Sequence, residues 1–270
     1  MREAKREDDD TNALDELAGL LRRAEADGTP IAPLTELRPG LDLASAYAVQ
    51  DANTRLRLAA GERLAGRKVG LTSLPMQRQL GVDEPDFGVL FESMLIPDGG
   101  TVATRGLIAP RAEAEIAFVL GRRLAGPDVS VADAAGAVAR VLLAVEVIDS
   151  RIADWRIQLA DTVADNASSA RVVVGPAVEA TTELLASLAD EAVELSVDGV
   201  SAAEGRGAEV LGDPLAAVAW LARTLHPFGA GIEAGELVLA GAVHASLPLT
   251  PGTTLSVRSG RLPALTATVR

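Results

Sequence analysis

Two glutamates one residue apart open the apolar run Arg111-Ala-Glu-Ala-Glu-Ile-Ala-Phe-Val-Leu120. On a strand the side chains alternate, so Glu113 and Glu115 share one face while Ala114, Ile116 and Phe118 share the other. Like charges held side by side at the mouth of a core are costly unless a cation or a proton lies between them. For an isolated Glu-x-Glu, a solvated strand end is the plainer explanation. A third glutamate shifts that weighing: Glu146 stands inside Val141-Leu-Leu-Ala-Val-Glu-Val-Ile148, a run apolar on both faces, where a lone carboxylate needs a partner. If the two strands are neighbours, three carboxylates converge into an all-oxygen site that suits Mg²⁺ or Mn²⁺ and leaves positions for water and a ligand. The other partner that fits Glu146 is a basic side chain such as Arg151. The chain has no cysteine, and neither His226 nor His244 has metal-ligand spacing, which argues against zinc.

Such a cluster needs strands to carry it. Short β-like runs fall at residues 67–71, 113–120, 141–148, 171–174, 193–197, 236–240, 253–257 and 265–269. Helices are expected before and between them. Asn12 to Asp27 carries Leu14, Leu17 and Leu21 at helical spacing and stops at Gly28; Leu43 to Ala60 follows Asp42 as N-cap; further helices lie near Ser130 to Ala139 and from Pro214, capped by Asp213, to Leu225. The pattern is α+β. It divides into a charged leader over 1–10, expected to be disordered, a helical N-terminal region over 11–62 and a strand-rich body over 63–270.

Composition narrows the function classes. Of 270 residues, 48% are hydrophobic and 23% charged, enough for a sizeable core. The net charge of −13 repels phosphate backbones and only 3% of residues are aromatic, so nucleic acid is not an expected partner. No apolar stretch approaches the ~20 residues of a spanning helix, and the start MREAKREDDD lacks the apolar segment of a signal peptide. A cytoplasmic location is the expectation that follows.

Several motifs in register then carry a resemblance. Gly66-Arg-Lys-Val-Gly-Leu-Thr-Ser73, Gly81-Val-Asp-Glu-Pro-Asp-Phe-Gly-Val-Leu-Phe91, Pro110-Arg-Ala-Glu-Ala-Glu-Ile-Ala-Phe118, Glu146-Val-Ile-Asp-Ser-Arg-Ile-Ala-Asp-Trp155 and Thr162-Val-Ala-Asp-Asn-Ala-Ser-Ser169 resemble the fumarylacetoacetate hydrolase superfamily, in its 2-keto-4-pentenoate hydratase and 4-oxalocrotonate decarboxylase branch. The resemblance implies a mixed β-roll behind the helical region, a homo-oligomer, and a small 2-oxo or 2-hydroxydienoic acid as substrate. It also implies Glu113, Glu115 and Glu146 as ligands of Mg²⁺ or Mn²⁺. By the same resemblance Lys68 and Asp86 move protons, and Ser168, Phe87 and Ser73 contact substrate. Read without it, a surface lysine on a strand edge is the base rate for Lys68, and a turn aspartate bonding its own backbone is the favoured account of Asp86. Lysine is scarce here against arginine, and a desolvated ammonium can release a proton where a guanidinium cannot. The reaction implied is hydration of a 2-hydroxy-2,4-dienoate to a 4-hydroxy-2-oxo acid. A decarboxylase of a 2-oxo diacid and a binding protein without turnover are the alternatives.

Overall fold

The computed structural model describes residues 2–73, 77–78 and 81–270, with side chains from Asn12 onward. The leader expected over 1–10 therefore lies outside the fully described residues. Helix α1 is Arg2–Asp27, α2 a single turn at Leu34–Leu37, and α3 Leu43–Ala59. The Asp42 carboxylate accepts the Ser45 N–H at 2.8 Å, so α3 starts at its expected cap. Leu17 and Leu21 of α1 are buried with Leu34, Val49, Val163 and Ala164. The leucine stripe thus packs on the chain's own body.

The strands in chain order are β1 Leu64–Gly70, β2 Asp86–Phe91, β3 Leu95–Pro97, β4 Thr101–Val102, β5 Arg111–Leu120, β6 Val138–Ile148, β7 Ser169–Val174, β8 Val178–Glu179, β9 Ala192–Val197, β10 Val200–Arg206, β11 Leu237–Ala242, β12 Leu247–Pro248, β13 Thr254–Ser259 and β14 Leu265–Val269. Among the described residues they form two sheets. The larger runs β2-β1-β11-β5-β6-β7-β3, with β12 on β5 and β8 on β6; the smaller runs β10-β9-β13-β14-β4. The β1/β11, β3/β7 and β14/β4 pairs are parallel and the others antiparallel, so the sheets are mixed as expected. Val145 and Val147 of β6, Leu195 of β9 and Val257 of β13 belong to one buried core, which continues to Ala219 and Ala222 of the helix over Pro214–Leu225. The helix expected over 130–139 is the shorter Val131–Ala137, because Val138 already pairs with Leu120 as the first residue of β6. No described helix is long and apolar enough to cross a membrane.

The structure departs from two expectations. Asp86 does not sit on a turn: it opens β2, all six of whose residues are buried. Arg151 does not pair with Glu146. Its guanidinium lies 2.5 Å from Asp165 and also donates to the carbonyls of Asp149 and Asp165, while its backbone N–H reaches the other Asp165 oxygen at 2.9 Å. Both partners are buried. Removing one partner of such a pair strands the other's charge, so Arg151→Met is expected to cost about 3–5 kcal/mol. Denaturant titration should show a lower midpoint at unchanged slope.

Candidate metal centre and active site

Strand register makes the centre. Glu113 on β5 lies directly opposite Glu146 on β6, and Glu115 follows on the same face opposite Ala144. Directly opposed side chains on an antiparallel pair stand close enough to touch. One oxygen from each carboxylate lies within 4.8 Å of the others, and all three residues are buried. Glu115 accepts the Gly241 N–H at 2.8 Å. Neither oxygen of Glu146 has a hydrogen-bond partner. Buried carboxylate oxygens left without donors, converging on one point, are what a hard divalent cation satisfies, and the three-oxygen donor set fits one.

Lys68 on β1 faces the same point, its Nζ 3.3 Å from Glu146 Oε2. It is one of two lysines in the sequence, the other being Lys5. Asp86 pairs by register with Gly70, where an added Cβ would fall 2.2 Å from Asp86 Oδ1 and 3.2 Å from Lys68 Nζ. Only glycine at 70 lets the carboxylate and ammonium share this corner. These groups, with Ser168, line a cavity of about 520 Å³ that Leu71, Ile148, Trp155 and Ile157 wall with apolar surface. Trp155 anchors by donating its indole N–H to the Ala109 carbonyl at 3.2 Å. Phe87 points the other way, as alternation requires, and stacks on Tyr47 with ring centroids 4.6 Å apart. Ser73 stands one residue beyond Thr72, which does line the cavity.

Four buried carboxylates face one ammonium, and protonation responds. Burial first, then Glu146, pushes the Glu113 carboxyl up to about 7. Burial and both other glutamates raise Glu115 well above the carboxylate range. Asp86 is raised as well, its burial outweighing the attraction of Lys68. Burial alone would lower Lys68, but Glu146, Asp86 and the other two glutamates reverse the direction and hold it protonated. Desolvation therefore does not free this proton in the metal-free protein, contrary to the reading from sequence. The carboxyl shifts make a stability prediction. Glu113 has a higher pKa folded than its ordinary 4.5, so its contribution is full below that value and is lost as pH rises through about 7. Chelator-treated protein should melt lower at about pH 8 than at about pH 5.5, and Mg²⁺ should close most of that gap. Thermal melts with and without EDTA measure it.

Two features had no reading from sequence. His244 accepts the Ala114 N–H on Nε2 at 3.2 Å, bracing the backbone between two of the glutamates, and its Nδ1 lies 2.9 Å from the Ala245 carbonyl. An accepting Nε2 requires the Nδ1–H tautomer, which the Ala245 carbonyl favours. Burial lowers its pKa, which keeps that neutral form. The second feature is the turn presenting Ser168: Asn166, Ala167 and Ser168 have φ of 55°, 49° and 57°, a left-handed run that costs about 1–3 kcal/mol per residue. Backbone strain of this kind collects where a side chain must be aimed.

Comparison with known proteins agrees with this architecture. The fumarylacetoacetate (FAA) hydrolase C-terminal family matches residues 58–270. The chain belongs to the fumarylacetoacetate hydrolase family. Within it, the chain is 48% identical over 236 residues to a 2-keto-4-pentenoate hydratase of Burkholderia vietnamiensis, covering 87% of this chain and 88% of that one. It is 44% identical over 224 residues to a 2-hydroxyhexa-2,4-dienoate hydratase of Comamonas testosteroni, covering 82% and 84%. Among solved structures, 4-oxalocrotonate decarboxylase from Pseudomonas putida G7, complexed with magnesium and adipate, superposes with a TM-score of 0.92 at 36% identity, covering 96% of this chain and 98% of that one.

Proposed function

We propose that the protein is a divalent-metal-dependent hydro-lyase that adds water to a 2-hydroxy-2,4-dienoate, giving a 4-hydroxy-2-oxo acid. The observation that carries this reading is the cavity in which three buried glutamates, both oxygens of Glu146 without a hydrogen bond, meet one lysine and one further aspartate. The hydratases at 44–48% identity support the hydration chemistry. Mg²⁺ or Mn²⁺ is the ion the all-oxygen donor set suits.

Glu113, Glu115 and Glu146 would hold the cation, which when bound supplies a positive anchor for an anionic 2-oxo acid head and polarises its carbonyl. The remaining work falls to side chains. Burial is already the largest single influence against the Lys68 ammonium, and once a bound cation offset the triad's charge only Asp86 would oppose it, which favours release of the proton and places Lys68 to serve as an acid and a base. Asp86, its pKa raised, is the second proton carrier at the same corner. Together they move the C2 hydroxyl proton off and deliver one to C5, turning the dienol into a 2-oxo-3-enoate. Water then adds, its oxygen to C4 and a proton to C3. Ser168 offers a hydroxyl to the substrate carboxylate, and the wall of Leu71, Ile148 and Trp155 takes the hydrocarbon end. A decarboxylase is the second reading, favoured by the superposition on 4-oxalocrotonate decarboxylase. A binding protein without turnover would need neither Lys68 nor Asp86. A homo-oligomer is the proposed assembly.

Incubation with a 2-hydroxydienoate and, separately, with its carboxylated homologue tests the choice by mass spectrometry. The expected result is a product heavier by one water from the first and no carbon dioxide from the second. Carbon dioxide from the second without hydration of the first supports the decarboxylase, and tight binding with no product over hours the binding protein.

A further inference from the structure

Strand β2 is the outer strand of the larger sheet, and it carries Asp86. Its inner side pairs with β1, Val89 standing against Arg67. The outward polar groups of an edge strand need partners, and here side chains supply them. Gln50 of α3 donates to the Phe87 carbonyl at 3.0 Å. Asn166 takes both groups of Val89: the Val89 N–H donates to Asn166 Oδ1 at 2.7 Å and Asn166 Nδ2 donates to the Val89 carbonyl at 2.9 Å. One carboxamide thus imitates the backbone of a further strand. The approach is close enough that a Cβ on Gly88 would fall 2.6 Å from the Asn166 carbonyl oxygen.

Asn166 does not line the cavity, yet it begins the left-handed run that ends at Ser168, which does. The far end of the run is tied as well: the Ser168 N–H donates to the Asp165 carbonyl at 3.0 Å, and the Asp149 N–H to the Ser168 carbonyl at 2.8 Å. Asp165 is itself gripped by Arg151. The Ser168 hydroxyl shares a long hydrogen bond, 3.5 Å, with Thr162 Oγ1, one that a stronger acceptor in the cavity would displace.

We propose that Asn166 is a positioning residue: by fastening the left-handed turn to the free edge of β2, its carboxamide sets where the Ser168 hydroxyl stands relative to Asp86. The inference rests on the proposed hydration with Ser168 as a substrate contact. A purely conformational role is the competing account, since asparagine tolerates the left-handed region better than most residues. Glycine tolerates it as well, so Asn166→Gly keeps the backbone freedom and removes only the clamp.

The test is a double-mutant cycle between Asn166→Gly and Ser168→Ala, read as kcat and KM with the Mn²⁺-loaded enzyme. Asn166→Gly is expected to lose about tenfold or more in kcat/KM, mostly through KM, and less than about twofold further in the Ser168→Ala background. Mn²⁺ affinity should not change. Asn166→Asp keeps the acceptor for the Val89 N–H and loses the donor, so it should fall between the two; it replaces the glycine variant in the cycle if that variant does not fold. Wild-type kinetics from Asn166→Gly, or equal losses in both backgrounds, would overturn the proposal. Calorimetric binding of oxalate to the four Mn²⁺-loaded proteins repeats the cycle without turnover. A wild type that binds oxalate but hydrates nothing therefore counts against the hydratase, while the oxalate cycle alone still decides on Asn166.

Discussion

Glu146→Gln should lower turnover by about 10³-fold or more and weaken metal binding with it, while the protein stays folded. The amide has nearly the carboxylate's shape but neither its charge nor two acceptor oxygens for a cation. In the metal-free protein the substitution removes one of the carboxylates that raise Glu113 and Glu115, so its direct electrostatic effect there is relief. Against that stands the loss of the Lys68 ion pair at 3.3 Å. The two effects oppose, and melting of the metal-free variant should lie within a few degrees of wild type. Excess Mg²⁺ should recover part of the rate where the defect is one of occupancy. Calorimetric titration of Mn²⁺ beside steady-state kinetics separates the two losses. A variant that keeps wild-type metal affinity and rate would remove Glu146 from the site.

Lys68→Met should do the opposite to the metal. The methionine keeps the length of the buried stem and removes the one ammonium facing the glutamates. Metal affinity should hold or rise, because a competing positive charge has gone, whereas kcat should fall by about 10²–10⁴-fold, the usual range for a lost acid or base. The metal-free form should be destabilised, since four buried carboxylates lose their counter-charge. Divergence of affinity and rate in this variant, against their parallel fall in Glu146→Gln, is what assigns one residue to proton movement and the other to the cation. A Lys68→Met enzyme with an unchanged kcat would leave Asp86 as the remaining proton carrier.

What could be read from sequence, and what could not, divides along a physical line. The glutamates were legible because alternation on a strand and a charge inside an apolar run are local signals. Their convergence was not, since it depends on the register that sets Glu113 against Glu146. Strand β2 escaped because Gly88 interrupts Asp-Phe-Gly-Val-Leu-Phe and Pro85 precedes it, both of which read as turn chemistry. Strand β10 is polar, yet the Asp198-Gly199 pair before it, both residues at positive φ, is a hairpin signal the sequence did carry. The partner of Arg151 was out of reach for another reason: Asp165 lies fourteen residues away and is brought round only by the turns that follow β6. His244 and Asn166 act on backbone groups of other strands, a role that leaves no trace in residue type or spacing.

The proposed hydration depends on a divalent cation held by Glu113, Glu115 and Glu146. Its most direct measurement is activity on a 2-hydroxydienoate after exhaustive chelation, followed by titration of Mg²⁺ back into the same sample. Chelation should abolish hydration with the fold retained, and added Mg²⁺ should restore it along a saturable curve that Glu146→Gln shifts to higher metal concentration. Hydration that continues at the wild-type rate in the chelated protein would contradict it.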